Sequence, residues 1–581
     1  MKRLIKIIFR QSQDEKGKTL KIILGSLTLL GIFFRFSNLK WGGGFFFHPD
    51  ENNIARSVSQ LTWPGLHPHF FAYGHFSLYL TYALNQILAV FLKKLPFPFS
   101  VPFPLAVYTL RFLSAGESVL TIFLTFLVSQ EIFDRRTGIL AACLTSLTPG
   151  LIQAAHFGTT ESLLTLLLLT SLYSALKILK KPTPAVFGFS ALILGISLAT
   201  KISALVFFCL PLTALIFALK FPFKKNRGQK KWLFWLSGSF IAALTLAFIF
   251  SPYQILDWSE FIRIARYEIK IARGKISVFY TRQFKNTLPF FFQLRHIFPF
   301  ALNPVFELIG LSSLILILAR VVFSLKRRLL KKEILLLAAF MIWFIPNSLV
   351  FTKWVRFVTP ILPFFAIFAA HGISFLQRKI SLKAGNWLLV LLVTVNLTVV
   401  IAFFKIYQKE DIRITAGRWI NENLPSRIQI LSESGNVTNL PLTGSSKVTH
   451  IDFYDLDQNQ AEFDRLLTEL TQSQYLLIPS RRVFKSHPRE LYPKTGCYYQ
   501  LLFSGQLGFA KIKEFNSFPS FNLGLRQIKF PDENAEETWS VFDHPVIRLY
   551  EKKQFLSQET YRQLFRICFK EKSLTIPTIW N

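Results

Sequence analysis

Three ionisable side chains lie close together in the segment WGGGFFFHPDENNIARSVSQL, residues 41–61, which directly follows an apolar stretch. His48, Asp50 and Glu51 are residue types that bind and release protons, so their grouping is typical of a site for acid–base catalysis. A structural interpretation is also open, because Asp50 follows the segment's glycine run, precedes an amphipathic stretch and is a suitable N-cap for an interfacial helix. The choice between the two depends on which other charged residues the fold brings to the same place.

The composition is that of an integral membrane protein. Of 581 residues, 51% are hydrophobic, and apolar runs long enough to cross a bilayer alternate with clusters of Lys and Arg. These clusters account for the net charge of +34, since they orient the spans and contact anionic head groups. The sequence has no nucleic-acid-binding motif, GxGxxG or P-loop, so neither a nucleic-acid partner nor a nucleotide or nicotinamide cofactor is expected.

The apolar stretches predict about eleven membrane crossings, beginning with an uncleaved first span. Their approximate positions are 20–34, 105–131, 138–155, 161–179, 184–199, 203–219, 232–250, 300–322, 334–352, 357–376 and 386–404. A further apolar stretch at 76–92 is predicted to be re-entrant or interfacial, because the basic N-terminus and the basic Arg135 segment are both expected in the cytoplasm. The chain is therefore expected to be a multi-pass protein of the cell membrane with a cytoplasmic N-terminus.

Two domains follow from this topology. Residues 1–404 form the membrane domain, with large outer loops at about 39–104 and 251–299. From residue 405 the sequence is polar and alternates helical and strand-like patterns, which predicts a soluble extracytoplasmic α/β domain over 405–581. Cys497 and Cys568 fall in this domain and are able to form a disulfide if it lies outside the cytoplasm.

Four more ionisable residues from separate segments fall on the outer face of this topology. They are Arg111, Glu161, Lys201 and Arg356, each at or near the end of an apolar helix. Each has a structural alternative, such as complementing a helix N-terminus or extending towards the head groups. Because charges at membrane depth are costly and usually mark a site, the four together with Asp50 indicate a functional cluster.

Carboxylates and cations at a membrane surface suit the transfer of a sugar from a lipid phosphate to a hydroxyl or an amine. A carboxylate that accepts the acceptor proton contributes roughly 10²- to 10⁴-fold to the rate. Lys and Arg side chains stabilise the departing phosphate. Asp50 and Glu51 diverge by about 100° on a helix, so they are predicted to have different roles.

Several motifs, in their order along residues 19–425, resemble the protein O-mannosyltransferase and aminoarabinose-transferase-like superfamily of GT-C glycosyltransferases. The motifs are HPDE, TTESLL, LATKISAL, FIFSPYQILDWSEF, RFVTPILPFFAIFAAHGI and AGRWINENLP. The greatest likeness is to the bacterial phospholipid-carrier-dependent members. The resemblance implies a GT-C fold, a polyprenyl-phosphate-linked sugar as donor and an extracytoplasmic protein, lipid or glycan as acceptor.

Residue roles follow from this resemblance. It implies that Asp50 is the general base and Glu161 a second acidic residue, with Glu51 as a further candidate catalytic residue. Lys201, Arg111 and Arg356 are expected to bind the donor phosphate. The residues expected to contact substrate are His48, Tyr73, His75 and Tyr253.

Two alternatives remain open at this point. A transporter or flippase for lipid-linked sugars would also need many spans, although such proteins are often built from internal repeats, which this chain lacks. A metal-dependent enzyme of the oligosaccharyltransferase type would place a divalent ion on Asp50, Glu51 and Glu161. The nearby Lys201 and Arg356 compete for the same carboxylates, so no metal and no other cofactor is expected.

Overall fold

The computed structural model of the protein describes residues 13–91, 98–219, 227–323, 330–433, 439–442, 447–524 and 526–570. The described chain is a bundle of apolar helices followed by a domain that contains a β-sheet, which confirms the predicted fold class. The basic N-terminal segment 1–12, which is expected in the cytoplasm, lies outside the described residues.

The membrane part contains nineteen described α-helices. In chain order they are α1 (Gln13–Phe36), α2 (Pro49–Gln60), α3 (Phe76–Phe91), α4 (Phe103–Ile132), α5 (Arg135–Ser146), α6 (Pro149–His156), α7 (Glu161–Lys180), α8 (Pro184–Thr200), α9 (Cys209–Ala218), α10 (Arg227–Phe250), α11 (Tyr253–Leu256), α12 (Trp258–Ala272), α13 (Phe291–His296), α14 (Phe298–Ala301), α15 (Pro304–Phe323), α16 (Lys331–Leu349), α17 (Val355–Val358), α18 (Leu362–Lys379) and α19 (Leu382–Gln408). Short 3₁₀ turns lie at Ile202–Phe208, Phe279–Phe284 and Thr359–Ile361.

Eight helical segments among the described residues are long and apolar enough to cross a bilayer. A ninth is formed if α5 and α6, which meet at an angle of 54°, are counted as one broken span. The apolar helices α3, α8 and the segment Ile202–Ala218 are shorter. The predicted eleven crossings require both α8 and 202–218 to span, so that number stays a prediction. The predicted domain boundary at residue 404 falls inside α19.

At the break between α5 and α6, backbone carbonyl groups accept hydrogen bonds from a buried arginine of the first span. Arg35 has no exposed surface, and its guanidinium donates to Ser118 Oγ at 2.8 Å and to the carbonyl oxygens of Thr145 and Ser146 at 3.0 and 3.1 Å. Carbonyl groups in the last turn of a helix have no intrahelical partner, so the end of α5 supplies acceptors that a continuous helix would not. Arg35 thereby joins α1, α4 and α5.

The C-terminal domain consists of a five-stranded mixed sheet, a two-stranded hairpin and six described helices. The elements are α20 (Ile412–Asn423), β1 (Gln429–Glu433), β2 (Lys447–Ile451), α21 (Gln460–Gln472), β3 (Tyr475–Ile478), α22 (Arg482–Ser486), α23 (Pro493–Phe503), β4 (Phe509–Phe515), β5 (Ser520–Leu523), β6 (Arg526–Lys529), α24 (Glu537–Val541), β7 (Ile547–Lys552) and α25 (Gln558–Lys570). The sheet order is β2-β1-β3-β7-β4, in which β1 is parallel to β2 and β3, while β7 is antiparallel to β3 and β4.

The predicted alternation of helical and strand-like patterns is present, since β1 follows α20 and β3 follows α21. A disulfide between Cys497 and Cys568 joins α23 to α25, which is the pairing that the sequence left open.

The C-terminal domain contacts the membrane part through a buried network around His544. This imidazole lies between Asp543 Oδ1 at 2.5 Å and Asp532 Oδ2 at 2.7 Å. Asp543 Oδ2 in turn accepts hydrogen bonds from Tyr407 Oη at 2.7 Å and from Gln153 Nε2 at 3.1 Å, which belong to α19 and α6. Burial alone would lower the pKa of His544, but the two carboxylates raise it to about 10, so the imidazolium is the stable form.

We expect this network to stabilise the protein in a pH-dependent way. Because the folded-state pKa of His544 lies above the unfolded value of 6.5, its contribution is complete below about pH 6.5 and is lost as the pH rises through about 10. The thermal unfolding midpoint of His544→Gln should therefore lie below that of the wild type near neutral pH, with the gap closing towards about pH 10. The control His69→Gln changes an exposed histidine and should follow the wild type. A gap that does not vary with pH would contradict a charged His544.

Candidate active site

A cavity of about 490 Å³ lies where several helices of the membrane part meet the C-terminal domain. It is lined by residues of α2, α6, α7, α12, α17, α22 and α24 together with the loops next to them. Its ionisable lining residues are His48, Asp50, Tyr73, Glu161, Lys201, Glu268, Tyr280, Arg356 and Arg482. A second cavity, of about 660 Å³, lies against α10 and is lined by Phe234, Ser237, Gly238, Ile241, Ala242, Thr245 and Leu246. The second has no ionisable lining residue, so the first is the candidate active site.

Asp50 and Arg356 form an ion pair across this cavity. Asp50 lies in the first turn of α2, and Arg356 of α17 donates from Nη1 to its Oδ2 and, at 3.3 Å, to the Tyr73 hydroxyl. The guanidinium of Arg356 also lies over the Trp354 ring at 4.6 Å, which fixes its orientation. The N-cap of α2 is His48, whose Nδ1 accepts from the backbone at 3.3 Å, so the structural interpretation of Asp50 as the N-cap is wrong.

A second, looser ion pair lies beside the first. Glu161 is the first residue of α7, and its Oε1 lies 3.9 Å from Nζ of Lys201, which directly follows α8. The ammonium group of Lys201 also faces the rings of Tyr73 and Phe357 at 5.3 and 5.4 Å. Oε1 of Glu161 has no hydrogen-bond partner among the described residues. The two charges of this pair are therefore close together, but no hydrogen bond joins them.

Glu51 and Arg111 form a third pair that lies outside the cavity lining. Both side chains are fully buried, and the Arg111 Nε and Nη2 atoms donate to the two carboxylate oxygens of Glu51 at 2.9 and 2.7 Å. Arg111 Nη1 donates to the carbonyl oxygens of Leu39 and Trp41, and Glu51 accepts from the backbone N–H of Gly158. The predicted catalytic role of Glu51 and phosphate-binding role of Arg111 do not fit this geometry, because both side chains are fully buried and hydrogen-bond to each other and to the backbone.

Of the four residues predicted to contact substrate, two line the cavity and two do not. His48 lines the cavity with its ring 4.5 Å from those of Phe157 and Phe542, and Tyr73 lines it beside Arg356. His75 is fully buried, contacts the Phe70 carbonyl oxygen at 3.0 Å and lies outside the cavity lining. Tyr253 donates to the carbonyl oxygen of Gly65 and is likewise outside it, so substrate contact is not supported for these last two residues.

Sequence reasoning missed several lining residues. Glu268 lies on α12, within the outer loop predicted at 251–299, and no motif distinguishes it from the other charges of that amphipathic helix. Arg482, Thr538 and Phe542 come from the C-terminal domain, to which we had assigned no role in the site. A buried arginine in a polar domain gives no sequence signal.

The C-terminal domain also positions Arg356. Oε2 of Glu536 accepts a hydrogen bond at 3.2 Å from the backbone N–H of Val355, the first residue of α17. The neighbouring Arg481 fixes this segment in turn by donating to the carbonyl oxygens of Ala535 and Glu536 at 2.8 and 2.9 Å. A carboxylate at a helix N-terminus satisfies a free N–H group, so Glu536 holds the short helix that carries Arg356.

The electrostatics favour an ionised Asp50 beside a neutral histidine. Burial alone would raise the pKa of Asp50, but Arg356 and Lys201 hold it below its ordinary value. Burial lowers the pKa of His48. Burial raises the pKa of Glu268, with opposition from Arg356. Asp50 is therefore held as an anion at neutral pH, with its charge balanced by Arg356.

Among the described residues, no group of three or more His, Cys, Asp and Glu side chains is arranged to hold a metal ion. In the cavity Asp50 pairs with Arg356 and Glu161 with Lys201, so each of these two carboxylates already faces a cation of the chain.

Two family models match separate parts of the sequence. The model described as dolichyl-phosphate-mannose-protein mannosyltransferase matches residues 107–253, which include Glu161 and Lys201. The model of the Alg9-like mannosyltransferase family matches residues 281–432, which include Arg356. Each match covers less than half of the chain. No curated protein matches the sequence.

Solved structures with a similar course of the chain include three glycosyltransferases. The Archaeoglobus fulgidus oligosaccharyltransferase in the apo form is 14% identical, over 89% of this chain and 77% of that one, with a TM-score of 0.46. ArnT from Cupriavidus metallidurans bound to undecaprenyl phosphate is 10% identical over 92% and 98%, with a TM-score of 0.42. The S. cerevisiae Pmt1-Pmt2 complex bound to its sugar donor is 16% identical over 43% and 35%, with a TM-score of 0.34. All three TM-scores are below 0.5, and the assignment of the site does not depend on them.

The resemblance to the GT-C glycosyltransferases inferred from sequence motifs is confirmed by the two family models. The protein is a membrane glycosyltransferase. Both matching models describe mannosyltransferases, and each covers only part of this chain.

The Glu51–Arg111 pair provides a test of its structural role. Glu51→Gln or Arg111→Met alone should lower the free energy of unfolding by about 3–5 kcal/mol, because the remaining charge is buried without a partner. The double variant Glu51→Leu/Arg111→Met should recover much of that loss, which thermal unfolding of the purified protein can measure. If Arg111→Met instead folds normally and raises the KM for the sugar donor, the phosphate-binding prediction for Arg111 would be restored.

Proposed function

We propose that the protein transfers a sugar from a polyprenyl-phosphate donor to an extracytoplasmic acceptor, by a single inverting displacement in the charged cavity. The observation that carries this proposal is the convergence of Asp50, Glu161, Lys201 and Arg356 from four separate segments on one cavity. The acceptor is a hydroxyl or amine of a protein, lipid or glycan. The cavity and the C-terminal domain lie on the extracytoplasmic side, and the donor's lipid chain lies between the helices.

Lys201 and Arg356 bind the donor phosphate in this proposal. Both are paired with carboxylates in the structure, so an incoming phosphate competes with Glu161 and Asp50 for the same cations. When the phosphate shares Arg356, the cation stabilises the Asp50 anion less, and the pKa of Asp50 rises. Donor binding thereby makes Asp50 a stronger base at the moment when a base is required.

Asp50 acts as the general base. The acceptor oxygen or nitrogen forms a bond to the anomeric carbon while the bond from that carbon to the phosphate oxygen breaks. The acceptor proton passes to Asp50, and the lipid phosphate leaves with the bonding electron pair, stabilised by Lys201 and Arg356. Glu161 orients Lys201, and His48 and Tyr73 contact the substrates. No metal takes part, because the cations of the chain balance the charge.

The first test is the transfer of labelled sugar from a panel of polyprenyl-phosphate sugars. We expect Asp50→Asn to lower kcat about 10²- to 10⁴-fold, since the base acts in the transition state. The donor KM should fall, because the carboxylate no longer competes with the donor phosphate for Arg356. Lys201→Met should lower both donor affinity and rate. EDTA should leave the wild-type rate unchanged.

The matched control is Glu260→Gln, which alters a half-exposed carboxylate on α12 and should keep the wild-type rate. A wild type that loses activity in EDTA would make Asp50 a metal ligand instead of a base. If no donor is consumed and lipid-linked sugar crosses proteoliposomes, the transporter alternative replaces the enzyme.

The pH dependence of kcat/KM tests the coupling between Asp50 and Arg356. In the free enzyme the pKa of Asp50 is held below its ordinary value, so the wild-type rate should stay level through mildly acidic pH. In Arg356→Gln the burial that raises this pKa is opposed less strongly, because only Lys201 remains, so the acid limb should move to higher pH. A profile of unchanged shape in this variant would show that Asp50 is not the group that titrates.

A further inference from the structure

Arg482 is a buried arginine that the C-terminal domain contributes to the wall of the cavity. It is only 4% exposed, and its guanidinium lies 5.4 Å from the ring centre of Phe279 and 5.7 Å from that of Phe542. Within the described part of the chain, its buried Nε and Nη1 atoms have no hydrogen-bond partner. Buried guanidinium groups normally have their donors satisfied, so unused donors in a cavity wall point to a ligand.

The neighbouring C-terminal segment is fixed by a different arginine. Arg481, next to it in the chain, already fixes the segment around residues 533–540 with hydrogen bonds to Ser540, Ala535 and Glu536. Glu537 Oε1 lies 3.2 Å from Arg482 Nε, but the two groups lack hydrogen-bond geometry and Oε1 is also without a partner. Glu537 therefore balances the charge of Arg482 and leaves its donors available.

We propose that Arg482 binds an anionic oxygen group of a substrate, separate from the donor phosphate that Lys201 and Arg356 bind. The inference rests on the proposed function, which brings a lipid phosphate into the same cavity. A planar guanidinium binds phosphate or carboxylate oxygens in pairs, and the flanking aromatic rings hold it in one plane and exclude water. The group has two possible sources: the second phosphate of a lipid diphosphate, or an anionic group of the acceptor.

The experiment compares the binding of undecaprenyl monophosphate and undecaprenyl diphosphate to the purified full-length protein by isothermal titration calorimetry. The test variant is Arg482→Met/Glu537→Gln, which removes both charges together and leaves no buried carboxylate unpaired. If the group is the second phosphate, the variant should bind the diphosphate at least about tenfold more weakly and the monophosphate as the wild type does. If it belongs to the acceptor, both lipids should bind unchanged. Inorganic phosphate should then bind to the monophosphate-saturated wild type but not to the variant.

Two further variants complete the test. Arg465→Met removes a half-exposed arginine of the same domain and should behave as the wild type in every titration. Arg482→Lys keeps the charge but loses paired hydrogen bonding, so it should fall between the wild type and the double variant, and it serves if the double variant does not fold.

Equal binding of the diphosphate and of inorganic phosphate by the wild type and the Arg482 variants would overturn the inference. Failure of the wild type to bind undecaprenyl monophosphate, or its unchanged binding in Lys201→Met, would instead overturn the proposed function. The two failures are thus read from different titrations.

Discussion

The structure depends on balancing charge in a region with little water. Three pairs of a carboxylate and a cation, Glu51–Arg111, Asp50–Arg356 and Glu161–Lys201, each join segments that are distant in the chain. An ionised group buried alone at this depth would be strongly destabilising, so each pair requires its two segments to meet. The pairs therefore determine how the loops after α1 pack on the helices that follow.

The three pairs differ in how completely their hydrogen bonds are satisfied. Glu51 and Arg111 are bonded by both side chains and by backbone groups, and no surface is left for a ligand. Asp50–Arg356 and Glu161–Lys201 border the cavity, and their ions are within reach of an entering anion. A carboxylate–cation pair thus has a structural role where it is fully buried, as in Glu51–Arg111. The two pairs that line the cavity are able to contact a substrate.

The C-terminal domain is part of this arrangement. Phe542 packs on the ring of His48, Glu536 accepts from the backbone of Val355, and the network around His544 attaches the domain to α6 and α19. The wall of the cavity and the orientation of Arg356 thus depend on residues far along the chain. The site lies between the two parts of the protein and belongs to both.

Asp50, Glu161, Lys201 and Arg356 were predictable because ions near the ends of apolar helices are rare and costly. The pairing of carboxylates with cations was not predictable, because only the packing shows that Asp50 meets Arg356 while the adjacent Glu51 meets Arg111. Arg482 was not predictable either, because arginines are common in polar domains and burial is not visible in the sequence.

The helical fold and the sheet-containing domain followed from hydropathy and from the alternation of patterns. The number of crossings did not, because α8 and the segment 202–218 are near the minimum length for a span. The break before Pro149 also divides one apolar stretch into two helices. A count based on helix length alone therefore does not include this stretch as a span.

The place of residues 482–542 in the cavity wall has a consequence for biosynthesis. The ribosome makes the chain from the N-terminus, so the helix bundle is inserted before these residues exist. At that stage the cavity lacks Arg482, Thr538 and Phe542, and Val355 lacks the carboxylate that caps its helix. The charged cavity is completed only when the C-terminal domain has folded against the bundle, so folding of this later-synthesised domain is a checkpoint for assembly of the site.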